Sequence, residues 1–93
     1  MNNGQTYQWD EAKAQANLAK HGVAFEAIYG FDWETAMVMV DDRNDYGEDR
    51  YIAIGFIIDR LHVAIVTPRG DDLRVISLRK ANRAEMKRYA ENF

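Results

Sequence analysis

The sequence predicts a single α+β domain, an antiparallel sheet of four to five strands with two N-terminal helices and one C-terminal helix. Three observations carry that prediction. Helix-forming residues near the start are flanked by good caps. Apolar runs separated by short polar turns fill residues 36–79. An amphipathic stripe closes the chain. With 93 residues there is room for one core and not two, so residues 1–93 are expected to form one domain.

Gln5–Trp9 places Tyr7 and Trp9 on one parity and predicts a short strand. Asp10 is a suitable N-cap for a helix over Glu11–Lys20, which is rich in Ala, Gln and Lys. Ala14, Leu18 and His21 share one face of it, and Gly22 supplies the left-handed residue that ends it. Phe25, Ile28, Tyr29 and Phe31 are close to helical spacing and predict a second short helix. Strands follow at Ala36–Val40, Arg50–Ile58, Leu61–Thr67 and Leu73–Arg79. Gly55 marks a bulge or a close approach in the second of these. Asp59-Arg60 and Pro68–Asp72 are the turns, and Arg43–Asp49 is a solvated loop. From Lys80 or Asn82 onward, Met86, Tyr89, Ala90 and Phe93 form the stripe of a final helix. Consecutive strands with short links imply an antiparallel meander, helices from both ends covering one face and leaving the other partly open.

Composition removes several function classes. There is no cysteine, hence no disulfide framework, thiol nucleophile or Cys-based zinc site. The start, Met1–Trp9, has no apolar region of signal-peptide type, and no run is long enough to span a bilayer, so no membrane role and a cytoplasmic location are expected. His21 and His62 lack metal-ligand spacing, and the DDRNDYGED run lacks the spacing of a calcium loop, so no metal and no cofactor are expected. There is no phosphate-cradling glycine loop or nucleophile elbow. Net charge is −3, but unevenly spread: residues 1–68 hold 5 basic and 11 acidic side chains, residues 69–93 hold 7 and 4. The basic end can face a phosphate backbone or merely solvate a helix.

The last strand interrupts its apolar alternation with Ser77 and Arg79. Strict alternation sets Leu73, Val75, Ser77 and Arg79 on one side and Arg74, Ile76, Leu78 and Lys80 on the other. A guanidinium at a sheet rim can hold a phosphate through two parallel hydrogen bonds. It can equally pair with a carboxylate such as Glu85. Lys20 and His21 end the first helix, where cations suit the helix dipole; an imidazole can also serve as general acid or base. Arg50 opens a strand and Arg69 stands in a turn; both can project into a cleft or into solvent. His62 reads as an exposed or half-buried strand residue. Residue chemistry alone reaches a domain with an arginine-rich sheet end and stops short of a reaction.

Three runs resemble the BrnT toxin family. The first is carried by Trp9, Asp10, Lys13, Asn17, Lys20, His21, Gly22, Val23 and Phe25. The second is carried by Gly47, Glu48, Arg50, Ala53, Ile54 and Gly55, and the third by Arg74, Ile76, Ser77, Arg79, Ala81, Glu85 and Tyr89. Together they cover nearly the whole chain. The resemblance implies a RelE-like ribonuclease toxin of a type II toxin–antitoxin system, inhibiting translation. Its partner is expected to be a ribbon–helix–helix antitoxin of the BrnA type, joined in a heterotetramer that reaches promoter DNA only through the antitoxin. The implied reaction is metal-independent attack of an RNA 2′-hydroxyl on the adjacent phosphorus. Laid on matching positions, Arg79 and Arg50 stabilise phosphate, and Lys20 and His21 move protons or position substrate. Arg69, Ser77, Lys80 and Tyr89 contact RNA. Two other readings stand beside this one: a non-catalytic toxin-like module acting as corepressor with its antitoxin, and a small-molecule-binding domain.

Overall fold

Helix α1 (Glu11–His21) begins and ends where local chemistry dictates. The Asp10 carboxylate accepts the Lys13 N–H, satisfying a donor with no partner inside the helix. At the other end Gly22 adopts φ 72°, a conformation costly for any residue with a Cβ, and its N–H closes on the Leu18 carbonyl. The buried positions of α1 are Ala14 and Asn17, whereas Leu18 is 43% exposed, so the apolar face expected through Leu18 is rotated by one position.

A computed structural model describes residues 4–92, so Phe93, expected to end the C-terminal stripe, lies outside the described residues. The remaining elements are β1 (Thr6–Gln8), a 3-10 helix (Phe25–Gly30), β2 (Met37–Val40), β3 (Tyr51–Ile57), β4 (Arg60–Arg69), β5 (Asp72–Lys80) and α2 (Arg83–Glu91). The strands form one sheet in the order β1-β5-β4-β3-β2. Strands β2 to β5 are the antiparallel meander that their short links require. Strand β1 departs from it by pairing parallel with β5, Tyr7 opposite Leu73. A parallel partner needs a long return path, and here the rest of the chain supplies it.

Other local expectations shift for physical reasons. Phe25–Gly30 winds as a 3-10 helix and not an α-helix; Gly30 weakens the longer alternative, and six residues make few i→i+4 bonds. The β3–β4 turn is Ile58-Asp59, one residue earlier than expected, and Ile58 takes φ 59° while 91% exposed. Strand β4 runs on through Pro68, which is tolerated because the β3 ladder has stopped at Val66. Gly55 marks a close approach: a Cβ there would stand 2.7 Å from the Phe31 ring.

The sheet has a core on each face. Phe25, Ile28, Phe31, Ala53, Ala64, Val66, Val75 and Leu78 form the cluster under α1 and the 3-10 helix. Ile54, Leu61, Val63 and Ala81 form the second, joined by Tyr89 from α2. The terminal helices therefore lie on opposite faces, contrary to the expectation that they share one. The strict alternation expected along β5 also fails. A register shift between Ile65 and Val66 inserts Ile76 as an extra residue, so Leu73, Val75 and Leu78 all reach the α1-side core.

Candidate functional site

The same irregularity decides where the polar residues of β5 point. Beyond it Ser77 pairs with Ile65 and Arg79 with Val63, on the face that carries α2. There Arg79 donates Nη1 to Glu85 Oε1 at 2.8 Å and Nη2 to Oε2 at 2.7 Å. Glu85 is held ready by a capping box with Asn82, whose backbone N–H it accepts at 2.8 Å. The hydrogen bonds to Arg79 hold the Glu85 carboxyl below its usual range, and the Glu85 hydrogen bonds raise Arg79. Helix α2 has no buried residue of its own, so this fork is one of its few anchors. A second anchor is Tyr89, which donates to the Thr35 carbonyl at 2.7 Å and stands edge-on to Phe56.

Arg43 comes to this face from a loop read as solvated. Its partner Asp41 is only 4% exposed, and the two meet through Nε–Oδ1 at 2.7 Å and Nη2–Oδ2 at 2.9 Å. The Arg43 hydrogen bond pulls the Asp41 carboxyl down to about 2. Arg43 lies near enough to Arg79 for the two positive charges to oppose each other. Between β2, β3 and α2 a cleft of about 330 Å³ has Met39, Val40, Ile52 and Ile54 as apolar lining, with Arg43 and Arg88 set among the carboxylates of Asp41, Asp42 and Glu85.

Arg50 and Arg69 meet at the other end of the strands. Glu48 accepts from Arg50 Nε at 3.1 Å and from Arg69 Nη2 at 2.9 Å, and both lower its carboxyl, Arg50 most. The Arg50 guanidinium also lies 4.0 Å from the centre of the Tyr46 ring. Counted along the register, Arg50 and Arg79 are four residues and two strands apart, roughly 16 Å at ~3.3 Å per residue and ~4.8 Å per strand. Held by Glu48 and Glu85 respectively, the two guanidinium groups stand in separate places.

Lys20 and His21 fall elsewhere. With Lys13, Asn17, Ile76 and Ser77 they line an open hollow of about 250 Å³ between α1 and β5. Asn17 organises it by bonding along β5 beyond the last residue that β1 covers. Its Nδ2 donates to the carbonyls of Leu78 at 2.7 Å and Val23 at 3.0 Å, and its Oδ1 accepts the Leu78 N–H. Ser77 thus stands beside this hollow and two residues before Arg79. Lys80 is exposed opposite His62 at the end of β5. His62 is buried, its Nδ1 2.8 Å from the Arg60 carbonyl, and not exposed or half-buried as its polarity suggested.

The structure therefore joins Lys20, His21 and Ser77 in one place, Arg50 and Arg69 in a second, and Arg79 with Tyr89's helix in a third. Sequence reasoning missed Arg43, Arg88 and Asn17. A lone Asn facing inward among Ala and Lys was the available signal for Asn17; an Asp two residues before an Arg was the signal for Arg43. Among the described residues no three His, Cys, Asp or Glu side chains converge as metal ligands, and no helix is long and apolar enough to cross a membrane.

Comparison with known proteins gives one finding. No curated protein matches the chain. A family model described as the ribonuclease toxin BrnT of type II toxin–antitoxin systems matches residues 9–85, a span holding all three motif runs up to Glu85. Membership implies a cognate antitoxin. With most of its length matched, the chain belongs to the BrnT family of ribonuclease toxins of type II toxin–antitoxin systems.

Proposed function

We propose that this chain is an active, metal-independent endoribonuclease that inhibits translation and binds RNA across the sheet face carrying α2. The observation that carries the reading is a cleft lined by the guanidinium groups of Arg43 and Arg88 and by Glu85, the carboxylate that Arg79 holds in a two-pronged pair. In this reading residues 1–93 act as one RelE-like toxin unit in the cytoplasm. A ribbon–helix–helix antitoxin of the BrnA type neutralises it in a heterotetramer and carries it to promoter DNA.

The chemistry needs a base to take the 2′-hydroxyl proton, positive charge for the phosphorane, and an acid to protonate the departing 5′-oxygen. Arg79 offers the charge. A phosphate can replace the Glu85 carboxylate in the same two-pronged geometry. In this reading Lys20 and His21, which line a hollow with Ser77, move protons or position the chain. Arg50 and Arg69 hold a separate phosphate, and Lys80 and Tyr89 contact flanking nucleotides. Induced expression in bacteria is expected to arrest growth, with arrest relieved by Arg79→Ala in a variant whose melting temperature shows it still folded. Purified protein is expected to cleave RNA in EDTA and leave 2′,3′-cyclic phosphate ends. Cleavage abolished by the chelator and restored by a divalent metal refutes the metal-independent mechanism.

One observation favours a second reading. Arg79, Arg50, Arg69 and Arg43 are each paired with a carboxylate of the same chain. A chain that keeps its cations so engaged suits a non-catalytic corepressor. Normal growth on expression, together with tight antitoxin binding, supports that alternative.

A further inference from the structure

The two edges of the sheet are built differently. At one edge β1 is only three residues long, and Thr6 and Gln8 bond the Asp72 carboxylate. Past β1, the Asn17 side chain occupies the β5 backbone at Leu78. That edge is covered along residues 72–74 and at Leu78. The other edge is β2, whose sequence is Met-Val-Met-Val, with no charge, proline or bulge to discourage pairing. The Asp41 N–H bonds the Arg50 carbonyl, so the alternation of an antiparallel ladder also turns Met39 and Met37 toward β3. The backbone N–H and C=O groups of Val38 and Val40 then point outward. Their side chains are 51% and 65% exposed. The residues with open backbone groups are thus the ones with open apolar side chains.

The flanks say what fits. Glu34 precedes β2, and Asp42, Asp45 and Asp49 follow it, all exposed. Arg43, the basic residue among them, is held by Asp41. A second copy of this chain would set acidic flanks against acidic flanks. We infer that the β2 edge receives an extended strand of the cognate antitoxin, apolar at alternate positions and flanked by Lys or Arg, adding a sixth strand to the sheet. The inference rests on family membership, which implies the antitoxin. It is independent of the cleavage chemistry, so the two fail separately.

The test uses the full-length toxin co-purified with its antitoxin. Amide hydrogen exchange at Val38 and Val40 is expected to slow by about a hundredfold or more relative to free toxin. Replacing both valines with lysine, on side chains already in solvent, is expected to weaken antitoxin binding by at least about tenfold. RNA cleavage by the free Val38→Lys single variant, whose side chain lies outside the cleft lining, stays at the level of the parent protein. Glu34→Lys with Asp42→Lys, which leaves the strand itself unaltered, is expected to weaken binding in a salt-dependent way. Unchanged exchange at β2 in the complex overturns the inference, and so does undiminished affinity of the lysine variant. Concentration-dependent protection in the free toxin also overturns it, by showing self-pairing.

Discussion

The two faces of the sheet are built to different specifications. Under α1 and the 3-10 helix, Phe25, Ile28 and Phe31 are fully buried, and Gly55 lets the Phe31 ring touch backbone. Under α2 the helix buries none of its own residues and is held by a carboxylate fork, one tyrosine hydroxyl and an edge-on ring. The arginines gather on that side. Burying apolar area stabilises the fold in proportion to its extent, whereas half-exposed ion pairs contribute little. Stability therefore resides on the α1 face, which leaves the α2 face free to carry charge that a packed core would exclude.

The largest effect that could break this contrast is a cavity under the 3-10 helix. Phe31→Ala is expected to cost about 3–5 kcal/mol in denaturant unfolding. Arg79→Ala should cost far less, because its partner Glu85 keeps its capping role on Asn82. Equal losses from the two would show that the faces share the load. Asn17→Ala is next, at about 1–3 kcal/mol, since it strands the Val23 carbonyl and the backbone of Leu78. The same change should loosen the hollow at Lys20 and His21, visible as faster amide exchange at Leu78.

The smallest expected effect is with acid. Asp41, Glu48 and Glu85 have carboxyls lowered by arginine partners on the α2 side. A carboxyl with a lowered folded-state pKa adds stability above its unfolded value and loses it as pH falls through the folded one. For Asp41 that window runs from the ordinary 3.8 down to about 2. Chemical shifts on the α2 face are expected to move between pH 5 and pH 2 while the Phe25–Phe31 ring contacts persist. Simultaneous loss of both sets would point to one cooperative unit.

What could be read beforehand was what is local. Asp10 and Gly22 define α1 within their own turns, and Asn82 with Glu85 starts α2 in the same way. The meander follows from short links between apolar runs. What escaped depends on partners distant in sequence. The parallel seat of β1 exists only once β5 is folded. The extra residue at Ile76 reverses which face Leu78 serves, and no periodicity in a nine-residue strand announces it. The site was legible to the same degree. Arg79 and Glu85 were visible as a pair six residues apart, and Lys20 and His21 as a helix end. That Arg43 would fold beside Arg79 depends on the burial of Asp41, which its acidic loop concealed.

The central claim is that RNA meets the α2 face. Titrating the isotopically labelled protein with a short RNA carrying 2′-O-methyl groups, which cannot be cleaved by this route, tests it in one NMR experiment. The account predicts shift changes concentrated at the guanidinium groups of Arg43, Arg79 and Arg88 and at Ile52 and Ile54, with release of Glu85 from Arg79. Changes confined to Lys13, Lys20 and His21, with the Arg79–Glu85 pair undisturbed, would contradict it.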